Sequence, residues 1–154
     1  MYVLDKDVLN KNLVVIIKLP MDYKVDFIEK HDDQRGHLVV FLKDSDLKKE
    51  FKEFGQIYFV TFNKPNAIRG NHYHKKWREW FGVVTGNVEV SLKDMKTGEI
   101  VNLTIGGNST KYTRLEIGPN IAHAFRNLSE EASLLNYTDT EWSPDDTFPE
   151  ELLK

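Results

Sequence analysis

The amino-acid sequence predicts an all-β sandwich or barrel with one short helix. Seven segments of four to six residues are rich in β-branched and aromatic side chains, which favour strands. Turn signals separate several of these segments, and many short strands divided by turns are typical of two-sheet sandwiches and small barrels. The predicted strands are 37–42, 57–62, 81–84, 88–92, 100–103, 112–117 and 132–137.

Two of the predicted strands show the period-two alternation of a sheet with one buried face. In 88–92 the apolar residues occupy the even-numbered positions, and in 112–117 the buried face is expected at the odd-numbered positions. The intervening residues are expected to contact solvent. Hairpin loops are predicted at 96–98 and 106–109, which contain glycine beside small polar residues.

One short helix is predicted between strands 37–42 and 57–62. Asp44 or Ser45 is a typical N-cap residue, and Gly55 is a typical stop signal. This is expected to be a packing helix, and its apolar face would consist of Leu47, Phe51 and Phe54.

Length and composition limit the class of protein. The 154 residues, 40% of them apolar, fit a single domain covering 1–154. A formal net charge of −3 argues against nucleic acid as a partner, and the absence of cysteine excludes disulfides and thiolate metal sites. No apolar run is long enough to span a membrane, and the first residues lack the pattern of a signal peptide. We therefore expect a cytoplasmic protein.

Three histidines and a glutamate form the pattern that carries chemistry. His72 and His74 are two residues apart, so on a strand both imidazoles would point to the same side. Glu79 follows after enough residues for a bend into the next strand, and His123 lies far downstream. Such nitrogen and oxygen donors suit Zn, Ni, Mn, Fe or Co. The alternative is that His72 and His74 are ordinary polar strand residues and His123 is a hydrogen-bonded core histidine.

The motifs around these residues resemble the cupin superfamily. Residues 69–74 read Arg-Gly-Asn-His-Tyr-His, which is similar to Arg-Gly-Leu-His-Tyr-Gln of the dTDP-4-dehydrorhamnose 3,5-epimerases. Residues 119–123 are similar to that group's Pro-Gly-Phe-Ala-His, with Asn120 in place of a glycine that a left-handed turn would favour. Weaker matches lie at 33–36 and 142–144. The resemblance covers roughly 25–148 and implies a cupin jelly roll, whose interior the four site residues would line.

The departures from the epimerase pattern indicate a different site chemistry. His74 replaces a glutamine, Glu79 replaces a lysine, and Asn136 stands where those enzymes have their catalytic tyrosine, with Tyr137 beside it. The resemblance thus implies that the family's cation and proton donor are both missing, and we expect a metal ion held by the histidines and Glu79 to replace the cation. In this respect the chain resembles the metal-binding cupin domain at the C-terminus of capsular-polysaccharide sugar epimerases. Residues 70–75 also resemble the Gly-x-His-Ala-His-Lys motif of dTDP-sugar 3,4-ketoisomerases.

These resemblances imply an epimerase or ketoisomerase that acts on a 4-keto-6-deoxy sugar nucleotide in surface-polysaccharide biosynthesis. The reaction would remove a proton next to a carbonyl, with His72 as base and either Arg69 or a metal ion stabilising the enolate. Tyr137 would donate a proton only if a bulge turned it inward. The alternatives are a metal-dependent cupin of another reaction class, such as a small oxygenase or isomerase, and a non-catalytic sugar-binding cupin.

The same resemblances imply ligands and partners. A divalent metal, Zn, Ni or Mn, would be held by His74, Glu79 and His123, with or without His72, and no organic cofactor is expected. A metal-bound His72 could not also act as the base. A homodimer is expected because sheet edges favour pairing. Substrate contacts are assigned to Arg69, Asn71, Arg126 and Asn136.

Overall fold

The computed structural model describes residues 20–34, 36–47, 54–106 and 111–154. Within these ranges the chain forms eleven strands and two 3-10 turns, Asp44–Asp46 and Pro144–Asp146. The strands are β1 (Tyr23–Asp33), β2 (Gly36–Val39), β3 (Gln56–Phe62), β4 (Ile68–Tyr73), β5 (Glu79–Thr85), β6 (Asn87–Asp94), β7 (Ile100–Gly106), β8 (Lys111–Ile117), β9 (Ile121–Asn127), β10 (Ala132–Thr138) and β11 (Phe148–Pro149).

Two antiparallel sheets pack face to face as a jelly-roll sandwich, which confirms the predicted fold class. One sheet has the strand order β2-β1-β8-β5-β10-β3, and the other has the order β11-β4-β9-β6-β7. Inward-facing side chains of both sheets form one apolar core. Its buried members include Phe81, Val83, Val88, Val90, Leu92, Leu115, Phe125 and Leu134.

All seven predicted strands are present, with ends that differ by at most three residues. The sequence analysis missed β1 because charged side chains occupy much of its length, and it missed β9 because alanines weaken its strand signal. The hairpin predicted at 96–98 is confirmed, since Asp94 Oδ1 accepts the backbone N–H groups of Lys96 and Thr97. Most of the loop predicted at 106–109 lies outside the described residues.

The predicted helix is described only at its two ends. Asp44–Asp46 is a 3-10 turn, and Phe54 and Gly55 are not helical. Positions 48–53, which include Phe51 of the predicted apolar face, lie outside the described residues.

The outer face of β8 is not exposed to solvent, which corrects the prediction made from its alternation. Tyr112 and Arg114 are both buried. The Arg114 guanidinium donates to the carboxylates of Asp26 and Asp46, each at 2.9 Å, and to the Phe41 carbonyl. Burial alone would raise the pKa of both carboxyl groups, but the nearby cations, Arg114 among them, lower it instead. An ion-pair cluster around the buried Arg114 therefore joins the segment after β2 to the sheet.

The last part of the chain returns to the sandwich beside β4. After β10 the chain passes through the turn Pro144–Asp146, and β11 then pairs with Tyr73 and His72. The described residues contain no helix with the length and hydrophobicity that a membrane span requires.

Candidate metal and substrate site

The four predicted ligands lie together inside the sandwich. His72 of β4 and His123 of β9 are cross-strand partners, so their side chains share the inner face of one sheet. His74 follows the end of β4, and Glu79 begins β5 in the facing sheet. The donor nitrogens of the three histidines lie within 4.8 Å of one another. The Glu79 Oε2 atom lies 3.4 Å from His123 Nε2 and 3.9 Å from His74 Nε2.

A break in the regular pairing of β4, just before His72, determines how the histidines are placed. The pairing of β4 with β9 shifts register between Gly70 and His72. Gly70 and Asn71 both have positive φ, 86° and 58°. A Cβ atom at Gly70 would lie 2.6 Å from the His123 carbonyl oxygen, so only glycine lets the two strands approach here. Asn120 adopts the predicted left-handed conformation, and its N–H donates to the His74 carbonyl at 2.6 Å.

Backbone carbonyls determine which ring nitrogen of His74 and of His123 faces Glu79. His74 Nδ1 lies 2.5 Å from the carbonyl oxygen of Asp146, and His123 Nδ1 lies 3.3 Å from that of Ile121. A carbonyl oxygen can only accept a hydrogen bond, so Nδ1 carries the proton in both rings. Their Nε2 atoms therefore present lone pairs towards the Glu79 carboxylate. Donation of Nδ1–H to a carbonyl is also the usual support of a metal-binding histidine.

Burial dominates the protonation of all four groups. It lowers the pKa of His72 to about 4, with further lowering by the charge of His74, against an opposing hydrogen bond to Gly70. Burial likewise lowers the pKa of His74 and of His123. Burial raises the pKa of Glu79 to about 8. At neutral pH the three imidazoles are therefore uncharged and available as donors.

The donor set fits a divalent cation. Glu79 is 2% exposed, and its Oε2 atom has no hydrogen-bond partner among the described residues. Ligands at 2.0–2.2 Å around a tetrahedral ion lie roughly 3.3–3.6 Å apart; the separation of Glu79 Oε2 from His123 Nε2, 3.4 Å, falls in this range, and that from His74 Nε2, 3.9 Å, is slightly wider. With a pKa of about 8, Glu79 carries a proton at neutral pH when no ion is bound, and a divalent cation between the carboxyl and the two nitrogen lone pairs would displace that proton. His74, Glu79 and His123 would hold the ion, and His72 stands beside them.

A cavity of about 260 Å³ opens onto this cluster. His72 and His123 form part of its wall, and the exposed Arg69 lies at its edge. Most of the remaining lining is apolar or aromatic, as in many small-molecule sites. The lining residues are Tyr58, Val60, Ile68, Arg69, Gly70, His72, Phe81, His123, Phe125 and Leu134.

Residues 31–147 match the family described as the polysaccharide biosynthesis C-terminal domain, over more than half of the chain. The chain belongs to this family.

Individual relatives agree with this assignment. The chain is 28% identical over 128 residues to the spore coat polysaccharide biosynthesis protein SpsL of Bacillus subtilis (strain 168), a match that covers 79% of this chain and 82% of that protein. It superimposes on a dTDP sugar isomerase from Desulfovibrio desulfuricans G20 with a TM-score of 0.75, 22% identity and 88% coverage of both chains. It also superimposes on a mutant 3,4-ketoisomerase from Thermoanaerobacterium thermosaccharolyticum, in complex with TDP-4-keto-6-deoxyglucose, with a TM-score of 0.70, 20% identity and coverage of 84% of this chain and 88% of that chain. These likenesses confirm the cupin jelly roll of this family member.

The residue that sequence reasoning missed is Tyr58. It pairs across the sheet with Asn136, so both side chains lie on the inner face, and Tyr58 lines the cavity. Burial raises the pKa of the Tyr58 hydroxyl, and the charge of Glu79 raises it further. Asn136 is fully buried, and hydrogen bonding from Asn136 and Tyr58 to Glu79 favours the charged carboxylate, against the burial that raises the pKa of Glu79. Residues 57–62 are nearly all apolar or aromatic, so no alternation marks the inward side, and the pairing of Tyr58 with Asn136 depends on register.

The prediction that Tyr137 donates a proton is wrong. Tyr137 pairs with Ile57 and Trp80 on the opposite face of the sheet from Asn136, and it lines an outer groove. The irregularity of β10 falls between Ser133 and Leu134, too early to turn Tyr137 inward.

The predicted substrate contacts of Asn71 and Arg126 are also corrected. The Asn71 side chain donates to the Leu153 carbonyl and accepts the N–H groups of Leu152 and Leu153. Arg126 alternates with the inward residues of β9, and it donates to Glu89 Oε2 at 2.7 Å and to the carbonyl oxygen of Lys154. Both side chains are therefore held outside the cavity, whereas Arg69 and Asn136 remain candidate substrate contacts.

We expect Gly70→Ala to lower the free energy of unfolding more than Gly98→Ala does. Both glycines have positive φ, but a Cβ at Gly98 meets nothing within 4 Å. Gly98→Ala should therefore cost only the left-handed penalty of about 1 kcal/mol. The added clash with the backbone of His123 should bring the cost at Gly70 to about 3 kcal/mol. Urea unfolding measures both free energies, and equal losses would contradict the close approach at Gly70.

Proposed function

We propose that this protein is an enzyme that epimerises or isomerises a 4-keto-6-deoxy sugar nucleotide in surface-polysaccharide biosynthesis. The observation that carries the proposal is a neutral His72 beside the donor set His74, Glu79 and His123, at the wall of a cavity with Arg69 at its edge. SpsL is named for spore coat polysaccharide biosynthesis, and two similarly folded proteins are named as sugar isomerases. One of those was solved with TDP-4-keto-6-deoxyglucose.

Side chains of this chain can supply each role that the reaction needs. Arg69 adds positive charge at the cavity edge, where a diphosphate would be bound. A divalent ion held by His74, Glu79 and His123, such as Zn, Ni or Mn, would polarise the ketone oxygen. His72, uncharged at neutral pH, accepts the proton from the neighbouring carbon. The reaction moves protons only, so it needs no organic redox cofactor.

Tyr58 is suited to return a proton from the other side of the substrate. His72 belongs to β4 and Tyr58 to β3, and these strands lie in the two facing sheets. Both side chains line the same cavity. A high pKa keeps the Tyr58 hydroxyl protonated, as a general acid must be. An acid and a base on opposite walls are the arrangement that inversion at carbon requires.

Incubation with a 4-keto-6-deoxy sugar nucleotide in D₂O tests the proposed reaction. We expect deuterium at a carbon next to the ketone, and we expect the exchange to stop after chelation and return with Zn, Ni or Mn. Oxygen uptake in place of exchange would favour an oxygenase, and binding without turnover would favour a sugar-binding protein. Unchanged exchange by demonstrably metal-free protein would contradict the role of the ion.

His72→Asn separates the roles of base and ligand. We expect this variant to keep its metal content but to lose deuterium exchange by at least roughly 100-fold, because the neighbouring imidazoles of His74 and His123 would be bound to the ion and could not accept the proton. Metal analysis and mass spectrometry of the sugar measure the two quantities. Loss of the metal as well would make His72 a ligand and would contradict its assignment as base.

Tyr58→Phe should separate proton removal from proton return. We expect deuterium exchange to persist, since His72 is intact, while product formation falls by roughly 100-fold. Tyr137→Phe is the matched control, because that hydroxyl lies on the outer face and should leave both rates unchanged. Comparable losses in the two variants would overturn the assignment of Tyr58.

We further propose that the protein is a cytoplasmic homodimer in which β3 takes part in the interface. Within the described ranges β3 is an edge strand, and its outward side chains Ile57 and Phe59 are 59% and 75% exposed. An edge strand with exposed apolar residues favours pairing with a second copy. Sedimentation should give a dimer at micromolar concentration and a monomer for Phe59→Lys. A monomeric wild-type protein would contradict the proposal.

A further inference from the structure

Asp146 forms hydrogen bonds with three consecutive residues, beginning with the candidate metal ligand His74. The carbonyl oxygen of Asp146 accepts the hydrogen bond from His74 Nδ1 at 2.5 Å. Its carboxylate accepts the backbone N–H groups of Lys75 at 3.2 Å and of Lys76 at 3.1 Å. Asp146 is 6% exposed, so these contacts are largely shielded from water.

The turn that carries Asp146 is itself ordered by local hydrogen bonds. The Ser143 hydroxyl oxygen accepts the N–H of Asp145, and the Ser143 carbonyl accepts both the Asp146 N–H and the Thr147 hydroxyl. Pro144 fixes one backbone angle of the same turn. The Asp146 carbonyl therefore has a defined direction.

A second set of contacts holds the same part of the chain against β4. Pro149 and Phe148 pair with His72 and Tyr73, and the rings of Tyr73 and Phe148 stack with centroids 5.2 Å apart. The Asn71 amide binds the backbone of 152–153. We call residues 143–153 the C-terminal clamp, because they hold 71–76 along their length.

The His74 ring is constrained in two independent ways. The indole of Trp77 stacks on it, with centroids 4.0 Å apart and planes inclined by 15°. This stacking defines the plane of the ring, and the bond to the Asp146 carbonyl defines its rotation within that plane. Together they direct Nε2 towards Glu79, 3.9 Å away.

We infer that Asp146 is a positioning residue of the metal site. Its carbonyl oxygen fixes the tautomer and direction of the His74 ring, and its carboxylate holds that carbonyl in place by binding the backbone N–H groups of Lys75 and Lys76. This inference rests on the proposed metal site. Loss of a group that hydrogen-bonds to a metal-binding histidine typically lowers metal affinity by roughly 10- to 100-fold, so we expect loss of the Asp146 carboxylate to lower it by a similar factor.

Asp146→Ala tests the inference, with Asp94→Ala as the matched control. Asp94 is also a buried aspartate whose carboxylate accepts two backbone N–H groups, those of Lys96 and Thr97, but within the described ranges it does not bond to a histidine of the site. We expect both variants to lose similar thermal stability. Only Asp146→Ala should lose Co²⁺ and Zn²⁺ affinity by at least roughly 10-fold and change the visible spectrum of bound Co²⁺. Equal affinity losses, or none, would overturn the inference.

Nitrogen-15 NMR of the imidazoles provides a readout that needs no metal. In the wild-type protein His74 should carry its proton on Nδ1, and in Asp146→Ala it should show a mixture of tautomers. Should the wild-type protein bind no metal, the proposed function fails, but this measurement still decides whether Asp146 positions the ring. Asp146→Asn, which keeps one acceptor oxygen, should show an intermediate effect if the alanine variant does not fold. An unchanged His74 tautomer would overturn the inference.

Discussion

A buried carboxylate that faces two nitrogen lone pairs is the constraint on which the rest of this site depends. Glu79 Oε2 lies 3.4 Å and 3.9 Å from His123 Nε2 and His74 Nε2, and backbone carbonyls keep the protons of both rings on the far nitrogens. Such an arrangement is stable only with a proton or a cation between the groups. A metal-free site in which a protonated Glu79 merely orients a histidine is the competing account.

The fold supplies this arrangement from both of its sheets. The five-stranded sheet contributes His72 and His123 as a cross-strand pair, and the six-stranded sheet contributes Glu79 together with Tyr58 and Asn136. The apolar core around them keeps the imidazoles uncharged, which is the state that binds a metal or accepts a proton. The chemistry proposed for the cavity therefore depends on two features of the fold: both sheets contribute side chains to the site, and the core between them is apolar.

The sequence was sufficient for the fold class and for grouping the four candidate site residues, because strand spacing and the His-x-His motif are local signals. It was insufficient wherever register decides the outcome. Tyr58 and Tyr137 are both tyrosines on strands, and only the pairing of β3 with β10 shows that the first faces inward and the second outward. Likewise, Asn71 belongs to the ligand motif, yet its side chain binds the chain end. The contact between Asp146 and His74 spans 72 positions, which no local pattern reveals.

Metal binding by Glu79→Gln is the measurement that tests the central claim most directly. Glutamine keeps the shape of the side chain but removes the negative charge. We predict that wild-type protein binds one divalent ion per chain, with imidazole nitrogens and a carboxylate oxygen in its X-ray absorption spectrum, and that the variant folds but binds at least roughly 100-fold more weakly. A variant that binds the ion with unchanged affinity and an unchanged ligand shell would contradict the account and favour Glu79 as an orienting acid.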